Sequence, residues 1–307
     1  MALIFFGTPL FAVSSLKALL YGKEDVSLVV TRPDRVKGRG HVLSAPPVKE
    51  LALAHNIKVA QPVKIRDEAF YRELQMVRPE FLIVVAYGRL LPREVLAIPS
   101  SGCINVHGSL LPRYRGAAPI QRALINGEHV TGVTTMLMDE GMDTGDILLK
   151  AELEVRDDDT SESLSEKLSE LGAATLLETL GRIREGGIKR QPQTGGPSYA
   201  PPLTKEEGRI NWSRSAEELF NFVRGMYPWP SAFCYLTTER IKITKARPCD
   251  GAAEAGLIVK ASGGELLVGT GKGLLAVEEL QPEGKKIMPA RAFVAGRKLE
   301  EGRERFS

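Results

Sequence analysis

Apolar residues in the first half of the chain come in short runs, separated by stretches with helical spacing. Residues 3–6, 26–31 and 80–86 are compact apolar runs of strand length. Residues 10–20, 48–55 and 67–77 place apolar side chains on one side of a helix and polar ones on the other. Two more apolar runs follow: residues 102–106, closed by Gly108, and residues 130–138, which lead into Asp139-Glu140-Gly141-Met142-Asp143. Leu164, Leu168, Leu171, Thr175 and Leu176 recur at helical spacing, so residues 160–185 read as one long helix. Strand alternating with helix predicts an α/β domain with a mainly parallel sheet covered by helices. The first turn offers Gly7 but no Gly-x-Gly-x-x-Gly, so a Rossmann-like sheet is expected without dinucleotide chemistry.

The character changes after residue 188. Gln191-Pro192-Gln193-Thr194-Gly195-Gly196-Pro197 is rich in turn formers and poor in apolar anchors, which reads as a linker. Beyond it, β-like runs recur at residues 232–237, 241–245, 257–260, 265–269 and 274–280, with a short helix near residues 290–295. Several short strands separated by glycine-rich turns suggest a small barrel. At 307 residues and 43% hydrophobic content the chain can bury two cores. The expected organisation is a first domain over residues 1–188, a linker over 189–206 and a second domain over 207–307.

Charge and cysteine content narrow the possibilities little. A net charge of +3 does not by itself indicate nucleic acid. Cys103, Cys234 and Cys249 are widely spaced, and His41, His55, His107 and His129 are scattered, so no metal is expected and a reducing compartment is. Cys103 shares strand parity with Asn105, yet no base accompanies it, and it is expected to pack in the core. Residues 1–20 are apolar but lack a basic start and are broken by Gly7-Thr8-Pro9, so strand, turn and helix fit better than a signal peptide. No later stretch approaches the roughly 20 apolar residues that span a bilayer.

The candidate chemistry lies in Asn105-Val106-His107-Gly108-Ser109-Leu110-Leu111-Pro112 and in Asp143-Thr144-Gly145-Asp146. Asn105 and His107 are two apart, so on a strand both point to the same face. Polar groups at the carboxyl end of a strand in an α/β sheet lie where a ligand crevice opens. Asp143 follows the neighbouring apolar run and is placed to reach the same crevice. An amide, an imidazole and a carboxylate together suit attack by an amine on a carbonyl carbon. The amide and imidazole N–H groups donate to the developing oxyanion, while the carboxylate orients the imidazole and helps move the proton. Taken alone, Asn-x-His is a common string and a lone His at a strand end is more often a satisfied turn residue; Gly108, Pro112, Gly116 and the glycine-rich loop carrying Asp143 favour the catalytic reading.

Asn105-x-His107, Ser109-Leu110-Leu111-Pro112 and Asp143-Thr144-Gly145 resemble the signature of folate-dependent formyltransferases. The resemblance runs along nearly the whole chain: Phe6-Gly7-Thr8-Pro9, Arg32-Pro33-Asp34-Arg35-x-x-Gly38-Arg39-Gly40, Ala86-Tyr87-Gly88-Arg89-Leu90-Leu91-Pro92, Arg113-Tyr114-Arg115-Gly116, Tyr199-Ala200-Pro201-Pro202-Leu203 and Gly225-Met226-Tyr227-Pro228-Trp229-Pro230. It implies 10-formyltetrahydrofolate as formyl donor, the α-amino group of methionine on initiator tRNA as acceptor, and an OB-like second domain. Asn105, His107 and Asp143 match the family's catalytic positions, and Ser109, Leu110, Leu111 and Pro112 its folate-binding segment. Tyr87, Gly88 and Leu90 are expected to help line the pterin pocket, with Asp139 and Gly141 supplying backbone groups that read a pterin edge. A monomer in the bacterial cytoplasm, away from membranes, is expected.

Arg32, Arg35, Lys37 and Arg39 share a glycine-containing stretch with a single acid, Asp34. Arginines there can stack on an unpaired base or grip a phosphate. From the residues alone a solvated surface loop is an equal reading; the resemblance implies the loop that inspects the tRNA acceptor end, with Arg39 as its key side chain and Arg35 and Lys37 beside it. Lys285, Lys286, Arg291, Arg297, Lys298, Arg303 and Arg305 could track an RNA backbone, or simply form a charged tail. Two other readings compete. A formyltransferase acting on an aminosugar should lack the basic loop and barrel, and a non-catalytic RNA-binding module leaves Asn105, His107 and Asp143 unexplained.

Overall fold

The apolar runs of the first half become strands buried on both faces, which is why they read as continuous runs rather than as alternating patterns. The computed structural model describes residues 2–37 and 42–307. In chain order it begins with β1 (Ala2–Gly7), α1 (Phe11–Tyr21), β2 (Asp25–Val30), β3 (Arg35–Lys37), β4 (Val42–Ser44), α2 (Pro47–Ala54), β5 (Val59–Ala60), α3 (Glu68–Val77), β6 (Phe81–Val85) and α4 (Arg93–Leu96). It continues with β7 (Gly102–His107), β8 (Arg115–Gly116), α5 (Pro119–Ile125), β9 (Val130–Leu137), β10 (Ile147–Glu154), α6 (Ser161–Arg184) and β11 (Tyr199–Ala200). The chain divides into two compact units. Met1–Pro119, Val130–Glu154 and Ser165–Ala200 form the first; Ile120–His129, Val155–Leu164 and Pro201–Ser307 form the second.

The first unit is built on a seven-stranded sheet in the order β10-β9-β7-β6-β1-β2-β5. The five strands from β5 to β7 are parallel, and β9 and β10 are antiparallel additions. One face carries Leu3, Phe5, Ile83, Ile104 and Val106 against Leu16 and Leu19 of α1 and Leu176 and Leu180 of α6. The other carries Ile4, Phe6, Leu82, Val84 and Cys103 against Phe70 and Leu74 of α3 and Val95 of α4. Each such aliphatic side chain, fully buried, contributes about 1.5–3 kcal/mol. Alternation along β7 then places Asn105 and His107 on the same side as Cys103. Cys103 packs in that core, its thiol pushed up to about 12 by burial.

Local chemistry sets several boundaries. Asp67 caps α3, its carboxylate accepting from Phe70 N at 2.9 Å, so the helix starts one residue later than the periodicity suggests. The basic stretch expected as a loop contains β3, which pairs antiparallel with β4 from Arg35↔Ser44 to Lys37↔Val42. The half-exposed edge strand β10 was not anticipated. Among the described residues no helix is long and apolar enough to cross a membrane.

The second unit holds α7 (Ala216–Met226), β12 (Ala232–Leu236), β13 (Glu239–Cys249), β14 (Ile258–Lys260), β15 (Leu267–Gly269), β16 (Leu274–Pro282), β17 (Met288–Pro289) and α8 (Ala290–Ala295). A capping box starts α7: Ser215 Oγ accepts from Glu218 N while the Glu218 carboxylate accepts from Ser215 N. The strands form an antiparallel sheet, β12-β13-β16-β15-β14, and register shifts in β13 at Ile243 to Ala246 mark bulges. The last residues close it. Tyr235 and Ser307 exchange backbone hydrogen bonds beside β12, and Ile258 N of β14 donates to Glu304 O. Phe306 then lies 3% exposed, its ring stacked on Trp212 with centroids 5.9 Å apart.

Candidate active site

His107 ends β7 with its ring 6% exposed, and Asn105 two residues before it is 8% exposed. The imidazole is held by backbone: Nε2 lies 2.9 Å from Tyr114 O. A carbonyl only accepts, so Nε2 carries the hydrogen. Nδ1 is then the nitrogen left to meet a ligand, and it lies 3.6 Å from Asp143 Oδ2. That separation is an ion-pair approach rather than a hydrogen bond. Asn105 lies on the same face of β7 as His107, two residues before it.

Asp143 arrives by a long return. Because β9 runs antiparallel to β7, its exit starts beside Cys103, where Met138 N donates to Cys103 O at 2.8 Å. From there to His107 is four residues of strand, roughly 13 Å. The loop covers that distance and turns at Asp143 in the left-handed region, φ 54°. Several contacts hold the turn. The Asp143 carboxylate accepts from Gly116 N at 2.8 Å, and Asp139 Oδ1 accepts from Gly141 N at 3.0 Å and Thr144 Oγ1 at 2.6 Å. Gly145 must be glycine, since a Cβ there would sit 1.8 Å from Leu137 O. Gly116, at φ +121°, is fixed as glycine in the same way by Ala200 O, 2.7 Å from its would-be Cβ.

The residues expected to bind folate divide by exposure. Ser109 and Leu111 are fully buried. Ser109 Oγ donates to Arg113 O at 2.6 Å, and Thr134 Oγ1 donates to Ser109 O at 2.7 Å while accepting from Leu111 N at 3.1 Å. Leu110 and Pro112 remain half-buried, and the Leu111–Pro112 peptide is cis. The Tyr87 ring is 1% exposed and packs edge-on to Phe6, and burial pushes its phenol above the usual tyrosine range. Gly88 turns at φ +77°, and Leu90 beyond it is 65% exposed. Asp139 and Gly141 lie exposed on the Asp143 loop, beside exposed Met142. Leu90 and Met142 are the large apolar side chains that these two loops leave exposed.

Of the expected RNA contacts, Arg35 is exposed on β3, Lys37 follows it on the same strand, and Arg39 lies outside the described residues. Arg32 has its pKa lowered by burial and by the neighbouring charges of Arg35 and Arg89. Asp34 does not offset them, because Lys49 Nζ at 2.7 Å and Gln61 Nε2 at 2.7 Å already engage its carboxylate. In the second unit Arg297 pairs with Glu239, Arg303 with Glu300 and Arg305 with Glu254. Lys285, Lys286, Arg291 and Lys298 are exposed, with no ion pair among the described residues.

Sequence reasoning missed the groups that support the site: the carbonyl of Tyr114, the N–H of Gly116, the Thr134 hydroxyl and the side chain of Gln193. Three of these act through backbone or through a hydroxyl inside a strand, for which no side-chain pattern exists.

Residues 1–180 match the family model described as Formyl transferase, and residues 202–298 match the model described as Formyl transferase, C-terminal domain. The chain is 56% identical over 305 residues to the methionyl-tRNA formyltransferase of Thermodesulfovibrio yellowstonii, covering 99% of both chains. It is 48% identical over 305 residues to the methionyl-tRNA formyltransferase of Pelotomaculum thermopropionicum, covering 98% of this chain and 97% of that one. Its fold is shared with an N-formyltransferase from Helicobacter canadensis solved with folinic acid and dTDP-3-aminofucose. There the TM-score is 0.69 at 18% identity, over 90% of this chain and 97% of that one.

Proposed function

The chain belongs to the formyl transferase family, and from that premise we propose that it moves a formyl group from 10-formyltetrahydrofolate to the α-amino group of methionine carried on initiator tRNA. The observation that carries this reading is the Asp143 carboxylate 3.6 Å from His107 Nδ1, with Asn105 two residues earlier on the same face of β7. The relatives named for methionyl-tRNA match the chain end to end, which favours that acceptor over an aminosugar. The unbalanced charge of Arg32, Arg35 and Arg89 supports a polyanionic acceptor.

The amine nitrogen attacks the formyl carbon, forming a new C–N bond as the carbonyl oxygen takes up negative charge. Asn105 Nδ2–H and the Nδ1–H of His107, in its imidazolium form, donate to that oxygen, each such donor being worth about 2.7–4 kcal/mol of barrier. Asp143 faces Nδ1, holds the ring with the Tyr114 carbonyl, and receives the proton that the amine loses. Collapse of the tetrahedral centre breaks the original C–N bond, and the proton passes to the departing folate nitrogen. Exposed Leu90 and Met142 with the neighbouring loop backbone would hold the pterin.

His107→Ala tests the reading. It should retain donor and tRNA binding within a few-fold and lose transfer by about 10³-fold or more. Undiminished transfer would remove His107 from the chemistry.

A further inference from the structure

Between residues 189 and 199 the chain is exposed except at Gln193 and Ser198, which turn inward. Gln193 Nε2 donates to the carbonyl oxygens of Asp143 at 2.9 Å and Gly145 at 2.8 Å. Its Oε1 accepts from Arg115 Nε at 3.1 Å and Nη2 at 2.6 Å. Arg115 is covalently followed by Gly116, whose N–H holds the Asp143 carboxylate. The amide therefore closes a ring: Asp143 is gripped at its carboxylate by Gly116 and at its carbonyl by Gln193, and Arg115 ties the two grips together. Five residues further on, Ser198 Oγ accepts from Tyr114 N at 2.9 Å and Ser198 O accepts from Arg115 N at 2.9 Å. Tyr114 supplies the carbonyl on the other side of the His107 ring. Exchange of backbone hydrogen bonds between Gln191 and Ile147 anchors the start of this strap.

We propose that Gln193 is a positioning residue for the transfer: through Asp143 it sets the approach of the carboxylate to His107 Nδ1, and Ser198 steadies the opposite side of the ring. The physical need is plain. Asp143 sits in a left-handed turn of a loop that has doubled back along β7, and among the described residues no strand ladder includes it. A side-chain amide suits the task because it donates twice to the loop and accepts from Arg115. Glutamate would keep the acceptor and lose both donors; leucine would lose everything but the volume.

The inference rests on the formyl-transfer reading, and its test has one arm that does not. In steady-state assays with 10-formyltetrahydrofolate and methionyl initiator tRNA, Gln193→Leu and Gln193→Glu should lower kcat about 10–100-fold, with both KM values within about 3-fold of the parent. In an Asp143→Asn background the same Gln193→Leu change should cost less than about 3-fold, because the group it positions has been disarmed. Should Gln193→Leu fail to fold, Arg115→Lys supplies the same comparison by breaking the fork onto Oε1 while leaving the donors in place. Independently of activity, the His107 ring titration, followed by proton NMR and identified with His107→Ala, should move in the same direction in Gln193→Leu as in Asp143→Asn. An unmoved His107 titration overturns the proposal even if no transfer is seen. So does a kcat within about 2-fold of the parent, or an equal loss in the Asp143→Asn background. Parent protein without transfer, but with a moved titration, would defeat the formyl-transfer reading and leave the positioning role standing.

Discussion

Replacing Asp143 by asparagine preserves shape and removes charge, so it isolates what the carboxylate does. The asparagine oxygen can still accept from Gly116 N at 2.8 Å, and its backbone carbonyl can still accept from Gln193. Lost is the negative charge 3.6 Å from His107 Nδ1, between side chains that are only 7% and 17% exposed. At an effective dielectric constant of about 20 that pair is worth about 4–5 kcal/mol in Coulomb energy, and about 3 kcal/mol once partial exposure is allowed for. Since a factor of ten in rate is about 1.4 kcal/mol, kcat should fall roughly 10²-fold, and further if the proton relay also fails. Single-turnover transfer of an isotopically labelled formyl group measures the rate, and calorimetry measures donor binding, which should stay within about 3-fold. A kcat within about 3-fold of the parent, or losses in rate and donor binding of equal size, would refute the role assigned to Asp143.

Three other outcomes are expected. Asn105→Ala should lower kcat about 10²–10³-fold with little change in donor affinity, because an oxyanion donor acts in the transition state; stopped-flow transfer under saturation checks it. Phe306→Ala should destabilise the second unit by about 3–5 kcal/mol, read as a lower Tm and altered Trp212 fluorescence, since the buried ring stacks on Trp212 where the last residues close the sheet. Hydrogen bonds from Gln61 and Lys49 hold the Asp34 carboxyl below the usual carboxylate range, so its contribution is present at neutral pH and is lost as pH falls through that lowered value. Asp34→Asn should therefore lower Tm at neutral pH and converge with the parent in strong acid, as a series of thermal melts against pH would show.

Residues whose role depends on burial or strand parity were legible in the chain. The parallel strands β1, β2, β6 and β7 announce themselves as apolar runs because both their faces are covered, and parity alone pairs Asn105 with His107. Asp143 was legible only as an acid in a glycine-rich loop; that the loop must travel back along β7 follows from the antiparallel direction of β9, which no local pattern encodes. Helix α7 escaped because its apolar stripe is interrupted by Asn221 and Arg224. Both are buried, and Arg224 donates to Asn221 Oδ1 and to Arg156 O. The closing tail looked like a charged terminus because it pairs through backbone while Arg303 and Arg305 meet acids of their own unit. Gln193 lay hidden in a stretch of turn formers, since its partners, two loop carbonyls and the Arg115 guanidinium, lie far earlier in the chain.

The acceptor is the central functional claim. The decisive measurement offers the protein 10-formyltetrahydrofolate carrying a labelled formyl group, together with methionyl initiator tRNA, methionyl elongator tRNA or an aminosugar nucleotide, and identifies the labelled product. The site and the full-length relatives predict N-formylmethionine on the initiator tRNA, at a rate far above that with either alternative. Label appearing on the aminosugar alone, or on no acceptor while tRNA still binds, would contradict the account.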